Sequence, residues 1–308
     1  MKRSEYDVLI VGAGPSGLAL ALRLQKQGIK KIRVLERESV AGGIPRHSFH
    51  TGYGLRDLHR LMSGPKYSQY YVSRIHDAGI DLSTNTTAFD WAGEHSLALT
   101  SSQGLEEVTA QKIILATGAR ERPRTARLVP GARPRGIFTT GSLQQSVYLN
   151  SQTIGSRAVI VGTDHVSYSA LITLSHADVK TVAMIESGPK IKSFPPISIA
   201  TKLLYGYKLF TRSDVIDIKG TDKVEGVVIR HNGIEKSIPC DTVVFTADWI
   251  PDNELARKGN LIMDQVTKSP IVNAHYETSR SGVFAVGNLL LPIKAADQCV
   301  LDSNRLKF

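Results

Sequence analysis

The stretch Tyr6-Asp-Val-Leu-Ile-Val11-Gly12-Ala-Gly14-Pro15-Ser16-Gly17 decides the fold. Tyr6 to Val11 is a compact β-rich run, and Pro15 to Gln27 places apolar residues at helical spacing before Gly28 stops it. Ile32 to Leu35 reads as a second strand that ends at Glu36, so the segment is a βαβ unit. Each glycine of the turn has a separate task. Gly12 permits the tight turn, Gly14 lets the backbone approach a pyrophosphate, and Gly17 allows helix and strand to pack closely. The free N–H groups and the dipole of the helix start favour phosphate charge. Glu36, at the end of the second strand, stands where a carboxylate accepts hydrogen bonds from the adenosine ribose hydroxyls.

Working outward, Gly64 to Gly79 reads as a helix, Leu82 to Val108 as a β meander turning at Gly93 and Gly104, and Lys112 to Ala116 as a further strand. The pattern then begins again. Ala158 to Val161, Val166 to His176 and Thr181 to Ile185 form a second βαβ unit, followed by two expected hairpins, Val224 to Ile229 and Glu235 to Phe245, turning at Asn232-Gly233. Between the repeats, residues 123–152 are rich in Arg and Pro and lack periodicity, which reads as a solvated linker. The expected organisation is therefore α/β, with two Rossmann-like three-layer domains. The first is built from 1–122 and 270–308, and the second, 153–269, is inserted into it.

The second glycine turn differs. It reads Gly162-Thr-Asp164-His-Val-Ser167, so only the first glycine remains. Asp164 sets a negative charge near the pyrophosphate position, and side chains at 164 and 167 obstruct the approach that glycine allows. Glu186, at the ribose position, would repel a 2′-phosphate. The expectation is a half that keeps the dinucleotide fold and binds NAD(P)H poorly.

Bulk properties bound the rest. The 308 residues, 42% hydrophobic, are long enough to bury two cores. No apolar run reaches the roughly 18 residues of a membrane span. Lys2 and Arg3 ahead of an apolar run imitate a signal peptide, but Glu5 and Asp7 lie before that run and no small-residue cleavage site follows, so a cytoplasmic location is expected. Cys240 and Cys299 fit neither a CxxC pair nor a metal-ligand spacing, so disulfide redox chemistry and a metal site are not expected. The net charge of +10 comes without a nucleic-acid reading module, and no nucleic-acid partner is expected.

Three motifs together resemble the FAD-dependent pyridine nucleotide-disulfide oxidoreductase superfamily over nearly the whole chain. They are Gly12-Ala-Gly14-Pro15-Ser16-Gly17, Ala116-Thr117-Gly118-Ala119 and Gly282-Val-Phe-Ala-Val-Gly287-Asn288. In that family the last motif usually ends in Gly-Asp, whose acid holds the FAD ribityl chain, and Asn288 takes that place here. A closer resemblance lies in Ala41-Gly42-Gly43-Ile44-Pro45-Arg46-His47, Gly52-Tyr53-Gly54-Leu55 and Leu61 through Gly64-Pro65. These are similar to the FAD-binding subunits of multi-component dehydrogenases, a group that includes hydrogen cyanide synthase, opine and amino-acid dehydrogenase subunits and sarcosine oxidase alpha. Relatives often carry a cysteine where Ser48 stands, and some add a cysteine-rich C-terminal extension for an iron-sulfur cluster.

The resemblance implies FAD as cofactor, with contacts from the Gly12–Gly17 turn, Glu36, Arg37, Gly43, Arg46, Ala88, the Ala116-Thr117-Gly118 strand end and Gly287-Asn288. Arg46, His47 and His50 are the catalytic candidates, a guanidinium for a carboxylate and imidazoles as bases, with Tyr53 and His59 in the same loop. They also suit a purely structural role in that loop. Lys294 and Asp297 are expected near the flavin pyrimidine edge. Three functions stay open: a dehydrogenase subunit for a small amine, amino acid or hydroxy acid with an electron-accepting protein partner; an NAD(P)H-dependent flavoprotein reductase; and an FAD-holding scaffold without turnover.

Overall fold

A computed structural model describes residues 2–292 and 294–307. In chain order its principal strands are β1 (Lys2–Val11), β2 (Ile32–Leu35), β3 (Asp81–Ser83), β4 (Thr87–Gly93), β5 (Ser96–Ser101), β6 (Gly104–Leu115), β7 (Ile137–Thr139), β8 (Arg157–Val161), β9 (Lys180–Ile185), β10 (Lys208–Phe210), β11 (Ser213–Lys219), β12 (Gly226–His231), β13 (Ile234–Pro239), β14 (Thr242–Phe245) and β15 (Val283–Ala285). The principal helices are α1 (Pro15–Lys26), α2 (Gly64–Asp77), α3 (His165–His176), α4 (Pro195–Tyr205) and α5 (Ala296–Ser303). The chain divides into two compact units, Met1–Arg120 with Trp249–Phe308, and Glu121–Asp248.

The first unit is organised by β6, whose twelve residues serve two purposes. Glu106 to Leu115 run parallel to β1, the first half of β6 carries the antiparallel meander β5-β4, and Ile113 to Leu115 pair in parallel with β15. The sheet order β3-β2-β1-β6-β5-β4 puts β1 in the interior. Both faces of β1 are therefore buried, as expected of a parallel strand between layers. Val8 and Ile10 pack with α1 and with Tyr67, Tyr71 and Ile75 of α2, while Leu9 and Val11 pack toward Leu97, Val108, Leu255 and Leu261.

The second unit is a five-stranded parallel sheet, β7-β14-β8-β9-β10, with the antiparallel meander β11-β12-β13 beside it. β12 and β13 turn at Asn232-Gly233 as expected, and β11 pairs antiparallel with β12 in a further hairpin. Thr242 to Phe245 leaves the meander as β14 and joins the parallel sheet between β7 and β8.

The segment 123–152 is not a solvated linker. It contributes β7 to the sheet, and Arg124, only 8% exposed, is consumed by its own loop. Its guanidinium donates to the carbonyls of Val129 at 3.1 Å, Pro130 at 2.6 Å and Gly131 at 2.8 Å, and to that of Ala132. Residues 249–269 likewise lie in the first unit, not the second. Leu255, Ala256 and Leu261 fill its core, and Trp91 Nε1 donates to the Leu255 carbonyl at 2.8 Å.

Candidate functional site

The first unit concentrates its glycines around the start of α1. Gly12 has φ +112°, a conformation that side chains rarely adopt, and a Cβ there would overlap the Ala116 carbonyl oxygen. At Gly17 a Cβ would overlap the Gly12 carbonyl, so helix and turn are as close as backbone allows. Gly14 is different. Its φ of −79° suits any residue, and a Cβ there would meet no atom within 4 Å among the described residues. Protein packing does not require glycine at 14, whereas a ligand lying on the turn does. Gly14 is also the N-cap of α1 and has no side chain with which to cap it, and Pro15 follows at the first helical position.

The other motifs converge on this turn. A Cβ on Gly43 would come within 2.9 Å of Gly14 Cα, and one on Gly287 within 2.5 Å of Ser16 Oγ. Glu36 is 9% exposed, and its Oε2 accepts the Ala13 N–H at 3.3 Å while Oε1 accepts that of Glu38 at 3.0 Å. Burial pushes its carboxyl above the usual carboxylate range, and those two amides offset part of the rise. An open glycine turn, an uncapped helix start and a buried acid at the end of the neighbouring strand fit a dinucleotide of the FAD type.

The other expected contact residues have partners within the protein. Ala88 sits on β4 in register with Leu99 and packs on the core; the backbone that meets the Glu36 loop is Asn85, whose N–H reaches Glu38 O at 2.9 Å, and Thr86, which reaches Glu36 O at 2.9 Å. Arg37 points to Asp252 at 3.0 Å, beside a cavity of about 570 Å³ that also involves Arg120 and Arg257 and does not include the glycine turn. Thr117 Oγ1 donates to the Asp252 carbonyl at 2.7 Å, and Gly118 O accepts the Asp252 N–H at 2.9 Å, so this strand end secures the 252 region.

The side chain of Asn288 is engaged internally. It exchanges two 3.2 Å hydrogen bonds with the Lys294 backbone and accepts the Cys299 thiol at 3.2 Å. Lys294 pairs with Asp302, and buried Asp297 pairs with Arg56 at 3.0 Å, so both are held by partners within the unit.

Among the catalytic candidates, Arg46 is paired with Glu38 and donates to Val40 O at 3.0 Å, which makes it a brace of the loop and not a free carboxylate clamp. His47 is buried at 4% exposure. His50 shares a 2.8 Å hydrogen bond with Thr51 O and stacks at 5.3 Å on Tyr53, and His59 is exposed. Sequence reasoning missed Asp57, whose Oδ2 accepts both the Tyr67 and the Tyr71 hydroxyl at 2.6 Å; its only signal was a carboxylate ahead of a tyrosine-rich helix.

The second unit reverses the logic of the first. Asp164 is the N-cap of α3, and its Oδ1 accepts the Ser167 N–H at 3.1 Å. Ser167 is fully buried and its hydroxyl lies 2.6 Å from Thr246 Oγ1. Glu186 is also spent: it accepts from Thr163 Oγ1 at 2.6 Å and from the Gly188 N–H at 2.9 Å, and pairs with Lys192 at 3.4 Å. Burial raises its pKa, but these partners outweigh burial and hold it below the usual range. Nearby, Glu121 is 8% exposed, and burial pushes its carboxyl up to about 7 despite a 2.9 Å hydrogen bond from Gly141 N–H. Both cysteines are buried in separate units, and burial pushes each thiol up to about 12, far from the thiolate form that redox exchange uses. Among the described residues no group of His, Cys, Asp and Glu gathers to hold a metal, and no helix is long and apolar enough to cross a membrane.

An open dinucleotide cradle in one α/β unit and a related, closed turn in the next define a flavoprotein oxidoreductase with two dinucleotide folds. The chain belongs to the pyridine nucleotide-disulphide oxidoreductase family, whose model matches residues 6–302. It is 23% identical over 316 residues to the A subunit of opine oxidase from Rhizobium meliloti, covering 93% of this chain and 59% of that protein. To the alpha subunit of sarcosine oxidase from Rhizobium meliloti it is 28% identical over 271 residues, covering 81% of this chain and 25% of the relative. The chain thus spans less than two thirds of the length of these curated relatives. Among solved structures it resembles the thioredoxin reductase of T. acidophilum with a TM-score of 0.80 at 20% identity, covering 98% and 96% of the two chains. L-proline dehydrogenase from P. horikoshii gives a TM-score of 0.73 at 18% identity, covering 98% of this chain and 54% of the other.

Proposed function

We propose that the chain is the FAD-binding part of a dehydrogenase that oxidises a small amine, amino acid or hydroxy acid and passes the electrons to a partner protein. The observation that carries this reading is the contrast between the two helix starts. The start of α1 is open beside Glu36, while that of α3 is closed by Asp164. A reductase fed by NAD(P)H needs the second turn to accept a pyrophosphate, and Asp164 and Ser167 fill it with an anion and a buried hydroxyl.

FAD, when bound, supplies the hydride acceptor. The chain's own residues do the holding. Gly12 to Gly17 take the pyrophosphate, Glu36 the adenosine ribose, and the Asn85-Thr86 backbone closes the loop around it. Gly43, braced through Arg46 and Glu38, presses the following loop onto Gly14. That loop brings His50 and Tyr53 together, ring centroids 5.3 Å apart, and the imidazole takes a substrate proton. The relatives named as subunits of opine oxidase and sarcosine oxidase support this substrate class.

The test is anaerobic mixing of FAD-loaded protein with a panel of amino acids, secondary amines and hydroxy acids, following loss of the visible flavin band. Bleaching by one class, with NADH and NADPH inert, supports the proposal. Rapid bleaching by NADH or NADPH replaces it with the reductase reading, and a flavin that no compound reduces replaces it with the scaffold reading.

A further inference from the structure

Helix α4 of the second unit is built inside out. At 100° per residue its inward arc is formed by Ser198, Thr201 and Tyr205, and its outward arc by Pro196, Ile197, Ile199, Ala200, Lys202, Leu203 and Leu204. Ser198 is buried, with its carbonyl accepting the Tyr207 hydroxyl at 3.2 Å, and Thr201 Oγ1 lies 3.0 Å from the same hydroxyl. Outside, Leu203 is 83% exposed, Leu204 75%, Ile199 62% and Phe194, just before the helix, 61%. Single exposed apolar residues need no explanation, but a run of them along one short helix forms a patch that marks an interaction surface.

Charge says what covers it. From Ser187 to Ser213 there is no Asp or Glu, while Lys190, Lys202, Lys208 and Arg212 give four positive charges besides Lys192, which pairs with Glu186. Protein interfaces draw their cores from Tyr, Trp, Met and Arg and are depleted in Lys. Here the face is aliphatic and its flanks are mainly lysine, whose long stems let the ammonium reach headgroups while the chain lies along apolar surface. Convex aliphatic residues set among lysines on a helix too short to span a bilayer match a helix lying in the plane of a membrane surface. We propose that α4, with Phe194, inserts its outward face into the headgroup boundary of an anionic phospholipid bilayer and so docks the protein peripherally.

The test is co-sedimentation of the full chain with vesicles of phosphatidylcholine alone and of phosphatidylcholine mixed with phosphatidylglycerol, at low salt. The bound fraction should rise at least about tenfold on the anionic vesicles. L203S/L204S keeps the charge and removes only apolar surface that the fold already leaves exposed; its melting temperature should match the parent, and its vesicle binding should fall to the phosphatidylcholine level. The proposal is overturned if the parent stays in the supernatant with anionic vesicles, or if L203S/L204S pellets as well as the parent, which would leave net charge as the only cause. A parent that dimerises through this face, becomes monomeric in L203S/L204S and ignores vesicles assigns the face to a second copy instead.

Discussion

Asp164 Oδ1 lies 3.1 Å from the Ser167 amide nitrogen, and that hydrogen bond fills in the second unit the place that Gly14 leaves open in the first. The same helix-start geometry is thus open to an anion in one repeat and satisfied internally in the other. Replacing Asp164 by Ala should destabilise the protein by about 1 kcal/mol through loss of the N-cap. It should also relieve the negative charge at the turn, so NADH binding should be tighter in Asp164→Ala than in the parent. Thermal melting and an NADH fluorescence titration check the two halves of this expectation.

The glycines of the first turn should separate by role. Gly12→Ala places a Cβ against Ala116 at a positive φ and should cost about 2–4 kcal/mol of stability. A Cβ at position 14 meets no atom within 4 Å among the described residues and φ is ordinary, so the melting temperature of Gly14→Val without cofactor should equal the parent's. Its FAD dissociation constant should rise at least about tenfold, because the new side chain occupies ligand space. Equal destabilisation by both substitutions would contradict the assignment of Gly14.

Glu121 should impose a pH dependence on stability. Its carboxyl ionises at about 7 in the folded protein, because of burial, and near 4.5 when unfolded. Between those values the folded state holds the extra proton, so stability falls as pH rises from about 4.5 to about 7 and is level above. Glu121→Gln removes this titration. Its melting temperature relative to the parent should climb between pH 5 and pH 8, by the equivalent of about 1–3 kcal/mol.

Arg46 should behave as a brace. A double-mutant cycle of Arg46→Met with Glu38→Gln, read by urea unfolding, should give a coupling of about 0.5–1 kcal/mol, since Glu38 is partly exposed. Strictly additive single effects would free Arg46 for a substrate carboxylate.

What the sequence made legible was what neighbouring residues decide. The β1-α1-β2 unit, its three glycines and Glu36 are contiguous, and each glycine carries its own steric reason. The closure of the second turn was visible in Asp164 and Ser167, although the capping bond that produces it was not. Arg124 shows where local reading ends. In composition it was one of six arginines between residues 120 and 135, and in the structure it is buried among four carbonyls of its own loop. The strand β7 was hidden because its partner β14 lies about a hundred residues further on. Ala88 was placed two residues beyond the Asn85-Thr86 backbone that meets Glu36 and Glu38, a register that only the folded turn reveals. Arg37, Asn288, Lys294 and Asp297 are each held by a partner from the same unit, and sequence does not show partners.

The most direct measurement is an isothermal titration of cofactor-free protein with FAD. Saturable binding of one FAD per chain is expected, weakened in Gly14→Val and unaffected by Asp164→Ala. A folded chain that takes up no FAD, or whose uptake Gly14→Val leaves unchanged while Asp164→Ala alters it, would contradict the assignment of the first glycine turn as the flavin cradle.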